Sequence, residues 1–200
     1  RTHQLHKAGQ NQDLCIRFWK GVAMDKRKEA NIRVKANITH ALFTLMEKKS
    51  LADIHISELV SKAGVARASF YRNYCSKEDV LVTLIRDVLE QFRQELDPEQ
   101  EDFCSYGTVL LSFQYFQKYK KYVLDLYHSG FLSVLMEELN RFHESMEGDM
   151  PSSSIEKYKL YIYIGALLNT ALVWLSSGDQ TSLEDMSLFF FESVAQTIRD

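Results

Sequence analysis

Side chains suited to binding nucleic acid are concentrated in one short stretch in the first half of the chain. Arg67, Ser69, Tyr71, Arg72 and Asn73 fall within seven residues. Guanidinium, hydroxyl and amide groups of this kind hydrogen-bond to phosphate oxygens and to the edges of bases. The residue types and their spacing therefore predict a surface that binds nucleic acid.

The surrounding stretch, residues 54–81, predicts the helices that would display these side chains. Gly64 can adopt a left-handed φ at the end of a first short helix, so the chain can turn within about three residues. A second helix follows this turn, and a third begins at Lys77. Five apolar residues are predicted to face inward and to hold the first two helices at the steep angle of a helix-turn-helix: Leu59, Val60, Ala63, Val65 and Phe70.

In order and spacing, residues 32–85 resemble the DNA-binding segment of the TetR family of bacterial transcriptional regulators. The resemblance rests on Leu59-Val60 before Ala63-Gly64-Val65, on the recognition segment 67–74 with Tyr71 at its centre, and on Ser76-Lys77-Glu78-Asp79 at the start of the next helix. The family usually has Ser or Thr where this chain has Ala66, so the recognition helix lacks a side-chain cap. The resemblance implies an all-α fold. An N-terminal three-helix DNA-binding domain with a helix-turn-helix would precede a larger helical ligand-binding and dimerisation domain.

The resemblance and the preferences of side chains for base edges together assign DNA contacts. Arg67 is predicted to make a bidentate contact with guanine, Asn73 to read adenine, and Ala68 to touch a thymine methyl group. The other predicted contacts hold the DNA backbone: Ser57, Ser69, Tyr71, Arg72 and Lys77. Members of the family bind a palindromic double-stranded operator as homodimers, which implies half-sites about 34 to 36 Å apart.

Composition and charge are consistent with a helical chain of which one half contacts DNA. Hydrophobic residues make up 46% of the sequence, and it has only two prolines, which favours an all-helical core. Residues 1–95 hold 17 Lys and Arg against 11 Asp and Glu, whereas residues 96–200 hold 7 against 16. This asymmetry indicates that only the first half contacts a polyanion, although solvated helix faces give the same pattern. Three cysteines outside any metal-ligand spacing favour a reduced, cytoplasmic chain, and the resemblance implies that it is nucleoid-associated.

The sequence divides into four predicted segments. Residues 1–23 show no helical period and are expected to be an extension, the alternative being a DNA-binding arm that carries Arg1, Lys7, Arg17 and Lys20. Residues 24–76 form the predicted helix-turn-helix domain, whose first helix covers 26–49. Ser76 and Asp79 predict a capping box at the start of a connecting helix, 77–98. Residues 99–200 form the second domain, with helices expected near 100–118, 119–128, 131–147, 154–177 and 182–198.

Aromatic residues are concentrated in the predicted second domain, where 17 of the chain's 24 follow residue 95. Core packing explains many of them, but a close set of tyrosines also suits the wall of an apolar pocket with a few polar anchors. On family grounds, a small apolar or aromatic effector is expected to bind there and to release the DNA by shifting the connecting helix. The predicted ligand-binding residues are Tyr115, Phe116, Tyr119, Tyr122, Phe131 and Asn169.

The last two predicted helices are expected to form a homodimer. Residues 160–175 are apolar on nearly all sides, and Gly165, Ala166 and Ala171 permit close approach. Because such a helix must be covered on all sides, a four-helix interface between two copies is predicted, the alternative being the core of a single chain. The uncharged stretch 160–178 is too short and too interrupted to predict a membrane span.

The sequence lacks the motifs of the common enzyme and nucleotide-binding classes. The sequence has no phosphate-binding glycine loop, no nucleophile elbow and no zinc-protease histidine pair. His143 and Glu147 have the spacing of two metal ligands but are predicted to be solvent-facing polar residues. We therefore expect a ligand-responsive transcriptional regulator that acts as a repressor. No catalytic residue, metal or cofactor is expected in it. A DNA-binding dimer without a ligand, and a helical enzyme whose site is assembled from scattered residues, remain as alternatives.

Overall fold

The computed structural model describes residues 26–96, 102–148, 151, 154–178 and 180–199. Within these residues every regular element is a helix, which confirms the predicted all-α fold. The chain forms two compact units, Arg1–Leu84 and Ile85–Asp200. The predicted extension, residues 1–23, and its alternative as a DNA-binding arm lie outside the described residues.

The first unit is built on a long helix that packs against two short ones. Helix α1 covers Lys26–Met46, a 3-10 turn covers Leu51–Asp53, and α2 and α3 cover Ile56–Ala63 and Arg67–Asn73. The prediction placed the end of α1 three residues later, at residue 49. The buried side chains Ile38, Leu42 and Phe43 of α1 supply much of the core against which α2 and α3 pack.

Helix α4, Lys77–Glu95, begins in the first unit and ends in the second. Its start is the predicted capping box. The Asp79 backbone N–H donates to Ser76 Oγ at 3.2 Å, and the Asp79 carboxylate accepts the backbone N–H of Cys75 at 2.9 Å. These two bonds satisfy amides that have no partner inside the helix, so they fix the residue at which α4 begins.

The second unit continues with five further helices close to the predicted bounds. They are α5 at Tyr106–Lys118, α6 at Lys120–His128, α7 at Leu132–Glu147, α8 at Ile155–Ser176 and α9 at Leu183–Phe190. A π-helical turn, Phe191–Ala195, and a last α-helical turn, Gln196–Arg199, extend α9. Helix α5 starts later than predicted because the hydroxyl of Ser105 caps it by accepting the backbone N–H of Thr108 at 3.2 Å.

An aromatic cluster forms the core of the second unit. The ring of Phe113 on α5 meets Trp174 on α8 at 5.7 Å and Phe190 on α9 at 5.6 Å between centroids. Tyr163 on α8 packs edge-on against Phe190 at 5.7 Å, and its hydroxyl donates to the carbonyl of Phe103 at 2.8 Å. Each such ring pair contributes about 0.5 to 1.5 kcal/mol beyond the area it buries, so these contacts fix how α5, α8 and α9 pack.

Helix α8 is long and apolar enough to span a membrane by length and composition, and it alone meets that test among the described residues. Half of its most apolar 18-residue window is buried, because α8 packs against α5, α6 and α7. One face of the helix therefore belongs to the core of the second unit.

The predicted solvent-facing position of His143 is wrong. Its side chain is only 5% exposed, among the rings of Phe103, Phe142 and Tyr163. Its Nδ1 lies 2.8 Å from the carbonyl oxygen of Leu139, one turn earlier on α7. Burial lowers the pKa of the imidazole, because the apolar surroundings disfavour the charged form. Residues 102–148 and the other described ranges contain no group of three His, Cys, Asp or Glu side chains that could hold a metal ion.

Candidate nucleic-acid interface

The turn between α2 and α3 depends on the backbone conformation of Gly64. Its φ of 64° and ψ of 34° are left-handed, and its N–H donates to the carbonyl of Ser61 at 3.2 Å. The N–H of Val65 donates to the carbonyl of Val60 at 3.1 Å, which completes a Schellman-type helix end. The predicted glycine turn is therefore the observed one.

A small apolar cluster behind the turn holds α2 and α3 in place. Leu59, Val60, Ala63 and Phe70 are buried, and Val65 is half-buried. The Phe70 ring also lies 5.7 Å from that of Tyr74, which is buried just after α3. With its apolar face covered, α3 has only its opposite face available for a ligand.

The outward face of α3 carries the predicted DNA-contacting residues. Arg67, Ala68, Tyr71 and Arg72 are exposed, and Ser69 is half-buried. Tyr71 leaves 49% of its surface in solvent, an uncommon exposure for so large an aromatic side chain. Because these groups are exposed on a well-packed helix, they could contact phosphates and base edges without unfolding anything.

Arg67 and Tyr71 form a pair one helical turn apart. The guanidinium carbon of Arg67 lies 5.5 Å from the centre of the Tyr71 ring, and its Nη2 donates to the Tyr71 hydroxyl at 3.2 Å. DNA contacts were predicted for both residues, but their contact with each other was not. The four-residue spacing on a helix was the signal that could have indicated it.

Asn73 is not displayed as an adenine reader in this structure. Its Nδ2 donates to the carbonyl of Ser69 at 2.8 Å, and the side chain is half-buried. Bidentate reading of adenine requires both the donor and the acceptor of the amide to face the base. Asn73 would have to exchange this bond within its own helix for a base contact.

Lys77 is tied to the protein instead of projecting from it. Its ammonium donates to the carbonyls of Ala52 and Ile54, at 2.8 Å and 2.9 Å. Two of its three N–H donors therefore join the first turn of α4 to the segment that leads into α2. The sequence analysis missed this bond because the Ala52 and Ile54 carbonyls, more than 20 residues earlier, leave no signature in the residue pattern.

Other polar groups of the first unit lie on α1, on α2 and in the turn between them. Ser57 is exposed in the first turn of α2, and Arg27, Lys28 and Arg33 are exposed along α1. Lys49 pairs with Glu58 at 2.5 Å, and the hydrogen bond from Lys49 lowers the pKa of that carboxyl. Ala66, which precedes α3, supplies no side-chain cap, as predicted.

The predicted ligand-binding residues are only partly brought together. Tyr115 and Phe116 are buried on α5, Tyr119 is buried between α5 and α6, Tyr122 is buried on α6, and Phe131 is half-buried before α7. The rings of Tyr115 and Tyr119 lie 5.9 Å apart, and the ammonium of Lys118 lies over both. Burial raises the pKa of the Tyr115 hydroxyl. Asn169, by contrast, lies on the exposed face of α8 and does not join this aromatic cluster.

A partly open cavity of about 230 Å³ lies elsewhere in the second unit, between the end of α4 and α5. None of the six predicted ligand-binding residues lines it. The lining residues are Glu95, Leu96, Gly107, Thr108, Leu110, Leu111 and Gln114. This cavity was not predicted from the sequence because its three leucines and four other lining residues form no recognisable motif.

Sequence comparison gives two short matches to regulators. No protein-family model matches the chain. It is 36% identical over 75 residues to the uncharacterised HTH-type transcriptional regulator YxbF of Bacillus subtilis, a match that covers 34% of this chain and 20% of that protein. It is 45% identical over 47 residues to the HTH-type transcriptional regulator EthR of Mycobacterium tuberculosis, covering 24% of this chain and 22% of that protein. The match thus spans about a fifth of the length of these curated relatives.

Structural comparison extends over most of the chain. The structure of Lin0861 from Listeria innocua matches with a TM-score of 0.65 at 16% identity, covering 90% of this chain and 97% of that one. A TetR transcriptional regulator from Streptococcus agalactiae matches with a TM-score of 0.57 at 20% identity, covering 84% and 97%. At these identities the likeness is one of fold.

Proposed function

We propose that this chain is a DNA-binding transcriptional regulator of the TetR type. In detail, it binds a palindromic operator as a homodimer, represses transcription, and is released by a small apolar or aromatic effector. The short sequence matches to proteins named HTH-type transcriptional regulators support the coarser part of this proposal. DNA binding and the homodimer are also supported by the geometry of this chain, whereas repression and release by an effector rest on the resemblance to the TetR family.

One observation carries the DNA-binding proposal: α3 exposes arginine and tyrosine side chains while its other face is buried. Arg67, Tyr71 and Arg72 lie in solvent, whereas Phe70 is fully covered. Exposed arginines on a rigid helix supply charge for phosphates and forked donors for guanine. A helix of this size fits the major groove of B-DNA, which is about 12 Å wide.

The homodimer proposal is supported by apolar side chains that remain in solvent on the last two helices. Ile155, Tyr158, Ile162 and Val173 of α8 are exposed, as are Leu188 and Phe189 of α9. Neighbouring exposed apolar residues of this size mark protein interaction surfaces more often than ordinary protein surface. A second copy that covered them would place two recognition helices on one duplex.

The test of DNA binding is selection from a random pool of duplexes, followed by measurement of affinity by fluorescence anisotropy. We expect the chain to enrich a palindromic site, and Arg67→Ala to weaken binding to it. Lys48→Ala is the matched control, because it removes one exposed positive charge just after α1 and outside the recognition helix α3. Enrichment of no sequence, or equal losses from both variants, would contradict the proposal.

A second candidate function, a regulator that needs no small ligand, is favoured by one observation. The cavity near α5 is smaller than the roughly 300 to 1,000 Å³ of typical ligand pockets, and none of the six predicted ligand-binding residues lines it. A panel of small aromatic compounds screened by thermal shift, then by operator affinity, separates the two candidates. A compound that stabilises the chain and weakens operator binding supports an effector-released regulator; no hit in either assay supports the second candidate.

A further inference from the structure

Asn169 lies in the middle of an exposed, uncharged stripe on α8. Ile162 and Ala166 precede it by seven and three residues, and Val173 follows it by four, so all four share one helix face. Ile162 is 61% exposed and Val173 is 65% exposed, while Ala166 is half-buried. A polar amide is thus surrounded by apolar side chains on a face that no other part of the described second unit covers.

The charges of the second half of the chain indicate what covers this face. Residues 96–200 hold 16 Asp and Glu against 7 Lys and Arg, so two copies repel wherever their acidic surfaces meet. The part of α8 from residue 160 to its end at Ser176 has no charged residue. Like charges facing each other oppose association by several kcal/mol, so an uncharged face is where two acidic copies can meet. The occupant that fits this face is a second copy of the chain.

A second copy that covered the stripe would remove the Asn169 amide from water. A buried amide without a hydrogen-bond partner opposes association by about 1 to 3 kcal/mol. In a twofold interface, a residue near the axis meets its own copy, and an asparagine amide carries both a donor and an acceptor. Two copies of Asn169 can therefore satisfy each other.

We propose that Asn169 pairs with its own copy across the twofold axis of the homodimer and sets the register in which the two α8 helices meet. A shift of one helical turn, 5.4 Å, would place the amide against apolar side chains and leave it without a partner. This inference rests on the homodimer of the proposed function. It makes Asn169 an interface residue, in place of the ligand anchor that the sequence predicted.

Replacing the amide with a carboxylate tests the pairing. Asn169→Asp keeps the shape of the side chain but sets two negative charges against each other at the axis. We expect the dimer dissociation constant, measured by analytical ultracentrifugation, to rise at least about tenfold and to recover partly at high salt. Gln117→Glu is the matched control, because Gln117 is exposed on α5 and not on α8, and the same change adds the same charge. This control should leave the dimer unchanged.

Disulfide trapping provides a second test that does not depend on weakening the dimer. In a background in which Cys15 and the exposed Cys75 are replaced by serine, Asn169→Cys should give a covalent dimer on mild oxidation, since residues at a twofold axis come within disulfide reach. Gln117→Cys in the same background should stay mostly monomeric on a denaturing gel. Equal yields from the two cysteine variants would overturn the assignment of Asn169 to the axis.

The outcomes separate this inference from the proposal on which it rests. A wild-type chain that sediments as a monomer at tens of micromolar contradicts the homodimer itself. A wild-type dimer whose dissociation constant is the same after Asn169→Asp and after Gln117→Glu contradicts the pairing of Asn169 and leaves the homodimer standing. A dimer that weakens with Asn169→Asp alone and is trapped by Asn169→Cys supports both.

Discussion

The guanidinium of Arg67 lies over the ring of Tyr71, 5.5 Å from its centre, and donates a 3.2 Å hydrogen bond to the Tyr71 hydroxyl. Both side chains are on the exposed face of α3. A stacked arginine loses less rotamer freedom when it binds a base than an arginine that moves freely in solvent. The pairing therefore prepares Arg67 for a bidentate contact before DNA arrives.

We predict that substitutions of Arg67 and of Tyr71 weaken operator binding by different amounts. Arg67→Ala should weaken binding to the selected operator by about 1 to 3 kcal/mol and relax the preference at one base pair. Tyr71→Phe keeps the ring under the guanidinium and removes only the hydroxyl, so its loss should be smaller. Anisotropy titrations against the operator and its single-base variants measure both effects. An unchanged base preference in Arg67→Ala would show that Arg67 contacts only the backbone.

Lys77 gives a prediction that departs from the one made from sequence. Because its ammonium donates to the carbonyls of Ala52 and Ile54, Lys77→Met should lower the free energy of unfolding by about 2 kcal/mol. The dependence of DNA binding on salt should hardly change. Lys62→Met, which removes an exposed charge from the end of α2, is the control for stability.

The opposite result for Lys77 would restore the prediction from sequence. A lysine that contacts a phosphate lowers the slope of log affinity against log salt by about 1 when it is removed. That change in slope, together with unaltered urea unfolding, would mean that the bonds to Ala52 and Ile54 give way when DNA binds.

Because Gly64 has a left-handed backbone conformation, we expect substitutions there to lower the stability of the chain by amounts that depend on the new residue. A Cβ at this position would meet no atom within 4 Å, so the cost is one of backbone conformation alone. Gly64→Ala should destabilise the chain by about 1 to 2 kcal/mol, and Gly64→Asn by less, because asparagine tolerates the left-handed region better. Thermal unfolding followed by circular dichroism measures both changes. Equal costs for the two variants would point to a cause other than the positive φ.

His143 predicts that stability falls in mild acid. Its folded-state pKa is lowered by burial, so the unfolded chain binds the proton more readily than the folded one. The contribution is complete above the unfolded pKa of about 6.5 and decreases below it, by up to about 1.4 kcal/mol per pH unit. Urea unfolding between pH 7.5 and pH 5 should show this dependence. His143→Gln should reduce it, whereas the same change at the exposed His128 should have no effect.

The sequence predicted those features that depend on local backbone chemistry. The turn at Gly64 and the cap at Ser76 and Asp79 were predictable because few residues satisfy a positive φ or the free amides of a helix start. The partners chosen by Asn73 and Lys77 were not, because each had several carbonyls within reach and only packing decides between them. Helix α8 is apolar nearly all round, so its pattern did not reveal that Asn169 faces solvent.

Whether a homodimer reads DNA with α3 is tested most directly by selection of duplexes by the wild-type chain, followed by footprinting on the enriched site. We expect two inverted half-sites whose centres are about one helical turn, 34 to 36 Å, apart. Arg67→Ala should relax the preference at the same base pair in each half-site. Enrichment of a single, asymmetric site, or protection that is unchanged in Arg67→Ala, would contradict a homodimer that reads DNA with α3.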